Sequence, residues 1–108
     1  MTPVVILTTV GRDFDAAALA RTLVELRLAA CVNIVERVRS IYRWEGKVED
    51  DAEQLLVIKT ADARVDALRA ELFARHPYEV PEFVVLPVAS TSDAYGAWLL
   101  DAVTPPSS

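Results

Sequence analysis

One cysteine and one histidine are the side chains of this 108-residue chain that most favour soft metal ions. Cys31 opens a long β-branched stretch, and His76 stands immediately before Pro77. Thiolate groups select copper and zinc, and imidazole suits both metals, so these residues are the candidate metal ligands. Each also has a structural interpretation: free cysteine is commonly a small buried hydrophobe, and a histidine at a helix end complements the helix dipole or forms structural hydrogen bonds.

Aromatic and charged residues on otherwise apolar stretches form a second candidate set. Tyr42, Trp44 and Tyr78 carry polar tips that need partners when buried, so such residues favour interfaces and pocket rims. Lys59 ends an apolar strand, and we expect it either to reach water or to pair with a carboxylate such as Glu82. Anchoring of an interface and stacking on a ligand are both open for these aromatic rings.

The charged side chains of the central stretch fall into two groups. Arg37, Arg39 and Arg43 share one side of a predicted strand, where they form either an anion-binding row or pairs with acids of the opposite strand. A local acidic cluster spans residues 49–53. It either holds a hard cation loosely or is a solvated strand surface.

Composition excludes several classes of protein. Three glycines form neither a dinucleotide-binding fingerprint nor a P-loop, and single Cys and His residues exclude an internal disulfide framework and a two-histidine metal clamp. A net charge of −5 argues against binding a nucleic-acid backbone. No run approaches the ~18 apolar residues of a membrane span, and the N-terminus lacks a signal-peptide pattern, so we expect a cytoplasmic protein. No catalytic signature is present, and acylphosphatase-like chemistry at Arg12 lacks its glycine-rich loop.

Hydrophobic periodicity predicts the element order β-α-β-β-α-β-α, whose first six elements form a ferredoxin-like α+β fold. Asp13 is the predicted N-cap of the first helix, which we expect to end near residues 28–30. Glu45-Gly46 predicts a tight hairpin turn, and residues 50–52 a bulge. The predicted elements are strands near 4–7, 31–44, 47–60 and 83–86, helices opening at Asp13, Asp62 and Ser92, one domain over 1–103 and a disordered tail over 104–108.

The strands carry more apolar residues than one covered face requires. In the runs at 4–7, 55–58 and 83–86, both the odd and the even residues are apolar, so both faces of these strands are apolar. The helices of this fold cover only one face of the sheet. Apolar residues make up 53% of the chain, and the mean hydropathy is +0.26. Self-association is the simplest way to cover the second face.

Four segments resemble the CutA1 divalent-cation tolerance family over about residues 3 to 102. They are LAACVN at 28–33, SIYRWEGK at 40–47, LVIKT at 56–60 and HPYEVPE at 76–82. The resemblance implies a cytoplasmic homotrimer whose extended second and third strands reach into neighbouring subunits, as well as a tolerance to copper and other divalent cations. The family's recurring positions correspond here to Cys31, Tyr42, Trp44, Gly46, Lys59, His76, Pro77, Tyr78, Pro81 and Glu82. Thr8 and Arg75 stand where copper-binding members have further Cys and His ligands.

We therefore expect a non-enzymatic trimer that binds or responds to divalent metal, with copper or another divalent cation as its cofactor and no organic cofactor. Two alternatives stay open. One is a small-molecule sensor, similar in architecture to PII proteins, with pockets between subunits. The other is a structural trimer that scaffolds a partner. We expect neither nucleic acid nor a membrane as a partner in any of these cases. The predicted inter-subunit pocket consists of Cys31, Tyr42, Trp44, Lys59, Tyr78 and Glu82.

Overall fold

A single antiparallel sheet in the order β2-β3-β1-β4 organises the chain. The structure is a computed structural model that describes residues 1–106. Two helices cover one face of the sheet and a third helix follows the last strand, which confirms the ferredoxin-like fold with an additional C-terminal helix. The elements are β1 (Pro3–Gly11), α1 (Ala16–Glu25), β2 (Cys31–Trp44), β3 (Lys47–Ala61), a 3₁₀ turn (Asp62–Arg64), α2 (Val65–Arg75), β4 (Val84–Pro87) and α3 (Asp93–Ala102).

The helix boundaries follow side-chain capping. Asp15, rather than the predicted Asp13, caps α1 by accepting a 3.0 Å hydrogen bond from the backbone N–H of Ala18. The helix also ends earlier than the predicted residues 28–30. Arg27 takes a left-handed backbone (φ 57°), and the N–H groups of Arg27 and Leu28 return to the carbonyls of Val24 and Leu23. This hydrogen-bond pattern is a Schellman motif, which closes a helix.

The other two helices end or begin where the sequence predicts. Ser92 caps α3 through the N–H of Tyr95, and α2 stops at His76 because the residue before a proline avoids helical angles. Of the predicted tail over 104–108, Ser107 and Ser108 lie outside the described residues. Thr104 donates its hydroxyl to the carbonyl of Leu100, which holds it against the end of α3.

A long two-stranded hairpin extends beyond the rest of the sheet. Strand β1 ends at Gly11, opposite Glu53, so residues 39–52 pair only within the hairpin; we call them the hairpin arm. Glu45 and Gly46 both have positive φ, which confirms the predicted tight turn. The predicted bulge at residues 50–52 is wrong, because the register shift lies between Val35 and Val38, in β2.

The two faces of the sheet differ in burial. Alternate residues of β1 and β3, such as Ile6 and Ile58, are fully buried against α1 and α2. Residues of the other parity, such as Leu7 and Val57, stay half-buried on what we call the open face. Helix α3 covers only the end of this face beside Ala61. No helix within residues 1–106 has the length and apolar character needed to cross a membrane.

Candidate functional site

A cleft of about 830 Å³ lies between the hairpin arm and the segment Pro77–Glu82. Residues of β2 and β3 form one wall, and the segment that follows α2 forms the other. The cleft brings together four of the six residues predicted to line a ligand pocket, which are Tyr42, Trp44, Tyr78 and Glu82.

His76 holds the second wall in place. Its side chain is only 9% exposed, and its Nε2 lies 2.8 Å from the carbonyl oxygen of Thr9. Its Nδ1 accepts a 3.1 Å hydrogen bond from the N–H of Tyr78. A carbonyl can only accept and an N–H can only donate, so the ring is the neutral tautomer protonated at Nε2. Both ring nitrogens are therefore engaged within this chain, and neither presents a free lone pair to a metal ion.

Two tyrosine–carboxylate pairs line the cleft. Tyr42 donates its hydroxyl to Oδ2 of Asp51 at 2.5 Å, across the two strands of the arm. Tyr78 donates to Oε2 of Glu53 at 2.6 Å and so ties the segment after α2 to β3. Asp51 and Glu53 are two residues apart on one strand, so they share a face with Cα atoms roughly 7 Å apart.

The same pairs raise the pKa of both phenols. The hydrogen bond to Asp51, with a smaller contribution from burial and the neighbouring carboxylates, raises the pKa of Tyr42 to about 12. Burial is the largest cause of the raised pKa of Tyr78, followed by its hydrogen bond to Glu53. Both phenols therefore stay protonated at neutral pH and act as hydrogen-bond donors to the carboxylates.

Sequence reasoning missed Asp51 and Glu53 as members of the pocket. It placed them in one acidic cluster with Glu49 and Asp50. In β3 successive side chains point to opposite faces of the sheet, so the cluster is divided between the two faces. Asp50 points away from the cleft and forms a bidentate pair with Arg39, at 2.9 and 2.7 Å. Because successive side chains of a strand point to opposite faces, the sequence could have placed Asp51 and Glu53 on one face. The predicted bulge at residues 50–52 obscured this alternation, since a bulge changes which residues share a face.

Cys31 and Lys59 lie elsewhere on the open face. They stand opposite each other in register, in the row that continues to Val5. That row is four residues along β3 from the row of Thr9, about 13 Å at strand rise. Lys59 makes no salt bridge within residues 1–106, so a pair with a carboxylate such as Glu82 stays a prediction for a contact between subunits.

The two candidate metal ligands are not brought together. Cys31 is half-buried on the open face and lies 3.9 Å from the side-chain oxygen of Asn33, whereas His76 is bonded to Thr9. Among the residues that the structure describes, no three His, Cys, Asp or Glu side chains are grouped to hold a metal ion. Thr8 points to the helix-covered side of the sheet and is fully buried, so a cysteine there would not face Cys31.

Two of the three arginines predicted to share a strand face line a separate cavity of about 680 Å³ beside the bulge. Arg37 and Arg39 border it together with Arg12, whereas Arg43 does not. Because Arg39 is paired with Asp50, the strand pairing expected for these arginines holds for this one residue.

Comparison with known proteins gives a consistent result. The model of the CutA1 divalent ion tolerance protein family matches residues 4–102. A divalent-cation tolerance protein CutA from Thermus thermophilus is 48% identical over 88% of this chain and 92% of its own length. A chloroplastic CutA protein from Arabidopsis thaliana is 44% identical over 89% of this chain, which spans only 53% of that relative.

Solved structures agree with the sequence comparison. A divalent cation tolerance protein from Thermus thermophilus superposes with a TM-score of 0.91 at 45% identity and covers 95% of this chain and 100% of its own. CutA1 from Oryza sativa gives a TM-score of 0.90 at 40% identity, with 96% of this chain and 95% of its own covered. This chain therefore belongs to the CutA1 divalent ion tolerance family.

Proposed function

We propose that this protein is a non-enzymatic, ligand-binding member of its family, and that the cleft between the hairpin arm and the segment Pro77–Glu82 is its binding site. The observation that carries the proposal is the convergence of Tyr42, Trp44, Tyr78 and Glu82, four chemically distinctive residues from separate parts of the chain. Clefts with aromatic walls and a few placed polar groups are typical ligand sites.

The chemistry of the cleft supports binding rather than catalysis. The phenols of Tyr42 and Tyr78 are engaged with carboxylates, and His76 uses both ring nitrogens in structural hydrogen bonds. The nearest imidazole therefore has no free nitrogen with which to activate the hydroxyls of Thr9 or Ser40, as nucleophilic catalysis requires.

Tryptophan fluorescence tests the proposed site. A Trp98→Phe background leaves Trp44, which is 40% exposed at the cleft, as the only tryptophan. We expect at least one compound in a panel of charged and neutral metabolites to change this fluorescence saturably, and Glu82→Gln to weaken its binding. Asp66→Asn, on the exposed side of α2, is the matched control. No saturable response across the panel would contradict the proposed site.

Direct copper binding is a second candidate function, and the free, half-buried thiol of Cys31 on the open face favours it. Self-association would bring copies of this face together, so the remaining ligands would come from neighbouring subunits. We expect Cys31→Ser to abolish the heat of Cu(I) binding in calorimetry. His76→Ala should leave it intact, because His76 has no free nitrogen. Equal binding by wild type and Cys31→Ser contradicts this candidate.

The assembly and location complete the proposal. The apolar open face, uncovered in a single chain, supports the homotrimer that the family resemblance implies. A cytoplasmic location, which the family resemblance implies, is part of the proposal. One relative is named chloroplastic, and another, from Archaeoglobus fulgidus, is named periplasmic, so fractionation of native cells is the appropriate test.

A further inference from the structure

The segment Pro77–Glu82, which forms one wall of the cleft, lies between two fixed points; we call it the strap. Immediately before it, His76 is nearly buried and its Nε2 is bonded to the carbonyl of Thr9. Immediately after it, the ring of Phe83 packs edge-on against that of Phe73, with 5.6 Å between the ring centres. Both ends of the strap are therefore anchored, and its own attachment to the sheet decides whether the middle can move.

A single residue attaches the strap. Within residues 1–106 the strap forms two hydrogen bonds, and Tyr78 donates both of them. Its N–H bonds to Nδ1 of the neighbouring His76 at 3.1 Å, and its hydroxyl bonds to Oε2 of Glu53 on β3 at 2.6 Å. Val80, further along the strap, is 64% exposed. Segments with few buried contacts and few backbone hydrogen bonds open at a low cost in free energy.

The bond between Tyr78 and Glu53 has opposing contributions to its stability. The hydroxyl lies at the end of β1, 3.8 Å from the place of a Cβ on Gly11, which pairs with Glu53 across the sheet. The bond is charge-assisted and therefore strong. However, Glu53 is only 5% exposed, and burial is the main cause of the raised pKa of Tyr78. Removal of a carboxylate and a phenol from water offsets much of what the bond contributes, so the attached and detached positions of the strap are close in free energy.

We propose that the strap is a movable wall of the cleft, which pivots at His76 and opens when the hydroxyl of Tyr78 leaves Glu53. Opening carries this wall away from Tyr42 and Trp44 on the hairpin arm and provides an entrance for a ligand. This inference rests on the proposed function, because it assigns a regulated entrance to the same site. The movement itself is measurable without a ligand.

Hydrogen exchange at the amide of residue 78 tests the movement. Tyr78→Phe removes the hydroxyl, and Glu53→Gln keeps an acceptor but removes its charge. We expect exchange to be about tenfold faster in both variants, the equivalent of one hydrogen bond to a charged group. Tyr95→Phe is the matched control, because it makes the same change on α3, which packs beside Ala61 at the other end of the sheet. This control should exchange at residue 78 like the wild type.

Low concentrations of urea distinguish opening of the strap from unfolding of the chain. A local opening exposes little surface, so exchange at residue 78 of the wild type should hardly change with urea. Exchange at the buried Ile58 of β3 should accelerate with urea, because it requires unfolding. Equal dependence on urea at both residues overturns the inference, and so do unchanged rates at residue 78 in Tyr78→Phe and Glu53→Gln. Either result leaves the cleft as the proposed binding site.

The metabolite panel separates the entrance from the site. A compound that binds in the cleft should enter Glu53→Gln about tenfold faster than wild type in stopped-flow fluorescence of Trp44, because the open position is more populated. Equal entry rates contradict the strap as the entrance while the binding site stands. If exchange behaves as expected and no compound of the panel binds, the proposed function is overturned, and only the movement of the strap is retained.

Discussion

Thr8 and Thr60 are both fully buried threonines whose hydroxyls have different surroundings. The hydroxyl of Thr60 donates to the carbonyl of Leu28 at 2.6 Å, whereas that of Thr8 has no hydrogen-bond partner. Burial of an unpaired hydroxyl opposes folding, because the group loses its hydrogen bonds to water and gains none in return.

The two threonines therefore predict substitutions of opposite sign. Thr8→Val keeps the shape and removes the unpaired hydroxyl, and we expect it to raise the free energy of unfolding by about 1 kcal/mol. Thr60→Val leaves the carbonyl of Leu28 without its donor and should lower that free energy by a similar amount. Urea denaturation measures both. A loss of stability in Thr8→Val shows that its hydroxyl has a partner in solution.

Tyr42 predicts a change of stability with pH. Its pKa of about 12 in the folded chain lies above the ordinary value of 10, so the folded state binds more protons than the unfolded state between these values. Stability from this group is therefore fully present below pH 10 and is lost as the pH rises through about 12. We expect Asp51→Asn to move the tyrosinate transition, followed by absorbance, towards pH 10. A Glu45→Gln control should not move it.

At the scale of elements, Gln54 joins β3 to the loop between β1 and α1. Its side-chain Nε2 donates to the carbonyls of Gly11 and Phe14, each at 2.9 Å, and the residue is 8% exposed. It also stands in β3 at the position of the bulge in β2. One amide group thus gives a second donor to two loop carbonyls, which also accept from the backbone N–H groups of Phe14 and Ala16.

Gln54→Met tests this connection, because it keeps the length of the side chain and removes the donor. We expect the free energy of unfolding to fall by about 1 kcal/mol, the net contribution of a typical hydrogen bond, because both carbonyls keep their backbone donors, the N–H groups of Phe14 and Ala16. Amide exchange in the loop that follows β1 should also increase. Glu25→Gln, at the exposed end of α1, serves as control for a change at the surface. Stability equal to that of wild type means that water replaces the amide without cost.

How far the sequence predicts these elements depends on whether each signal is local. Gly46 in the hairpin turn, Pro77 after α2 and Ser92 before α3 act on their immediate neighbours, and the structure confirms all three. The end of α1 and the bulge in β2 escaped prediction because Arg27 and Arg37 have left-handed backbones (φ 57° and 62°). Arginine gives no signal for that conformation, which usually indicates glycine.

In the candidate site, too, the features with a local signal were predicted and those that depend on distant parts of the chain were not. Family motifs name Tyr42, Trp44, Tyr78 and Glu82, and these residues do share one cleft. Cys31 and Lys59 lie outside this cleft of the single chain, further along the open face, and their place in a pocket between subunits stays a prediction. The hydrogen bonds of His76 depend on the path of Pro77–Glu82 over the sheet, which no periodicity encodes.

At the scale of the whole molecule, the open face of the sheet is an apolar surface that α3 covers only at one end. Its central row runs from Asn33 through Val57 and Leu7 to Val84, and Val84 is 42% exposed. The neighbouring row includes Leu86, which is 43% exposed. Contiguous apolar surface of this kind is rare on monomers and is typical of subunit interfaces. The apolar excess in the composition thus lies where a second copy of the chain can cover it.

This face predicts self-association, and the family resemblance implies that the assembly is a trimer. Light scattering during size exclusion should give three times the chain mass of 11.9 kDa for the wild type. Leu7→Asp places a charge in the middle of the open face, and we expect it to reduce the mass to that of one chain, because an unpaired charge at an apolar interface is costly. Val24→Asp makes the same change at an exposed position of α1 and should remain a trimer. Circular dichroism separates loss of assembly from loss of folding in Leu7→Asp. A wild type that elutes as one chain at micromolar concentration refutes self-association through this face, whatever the variants show.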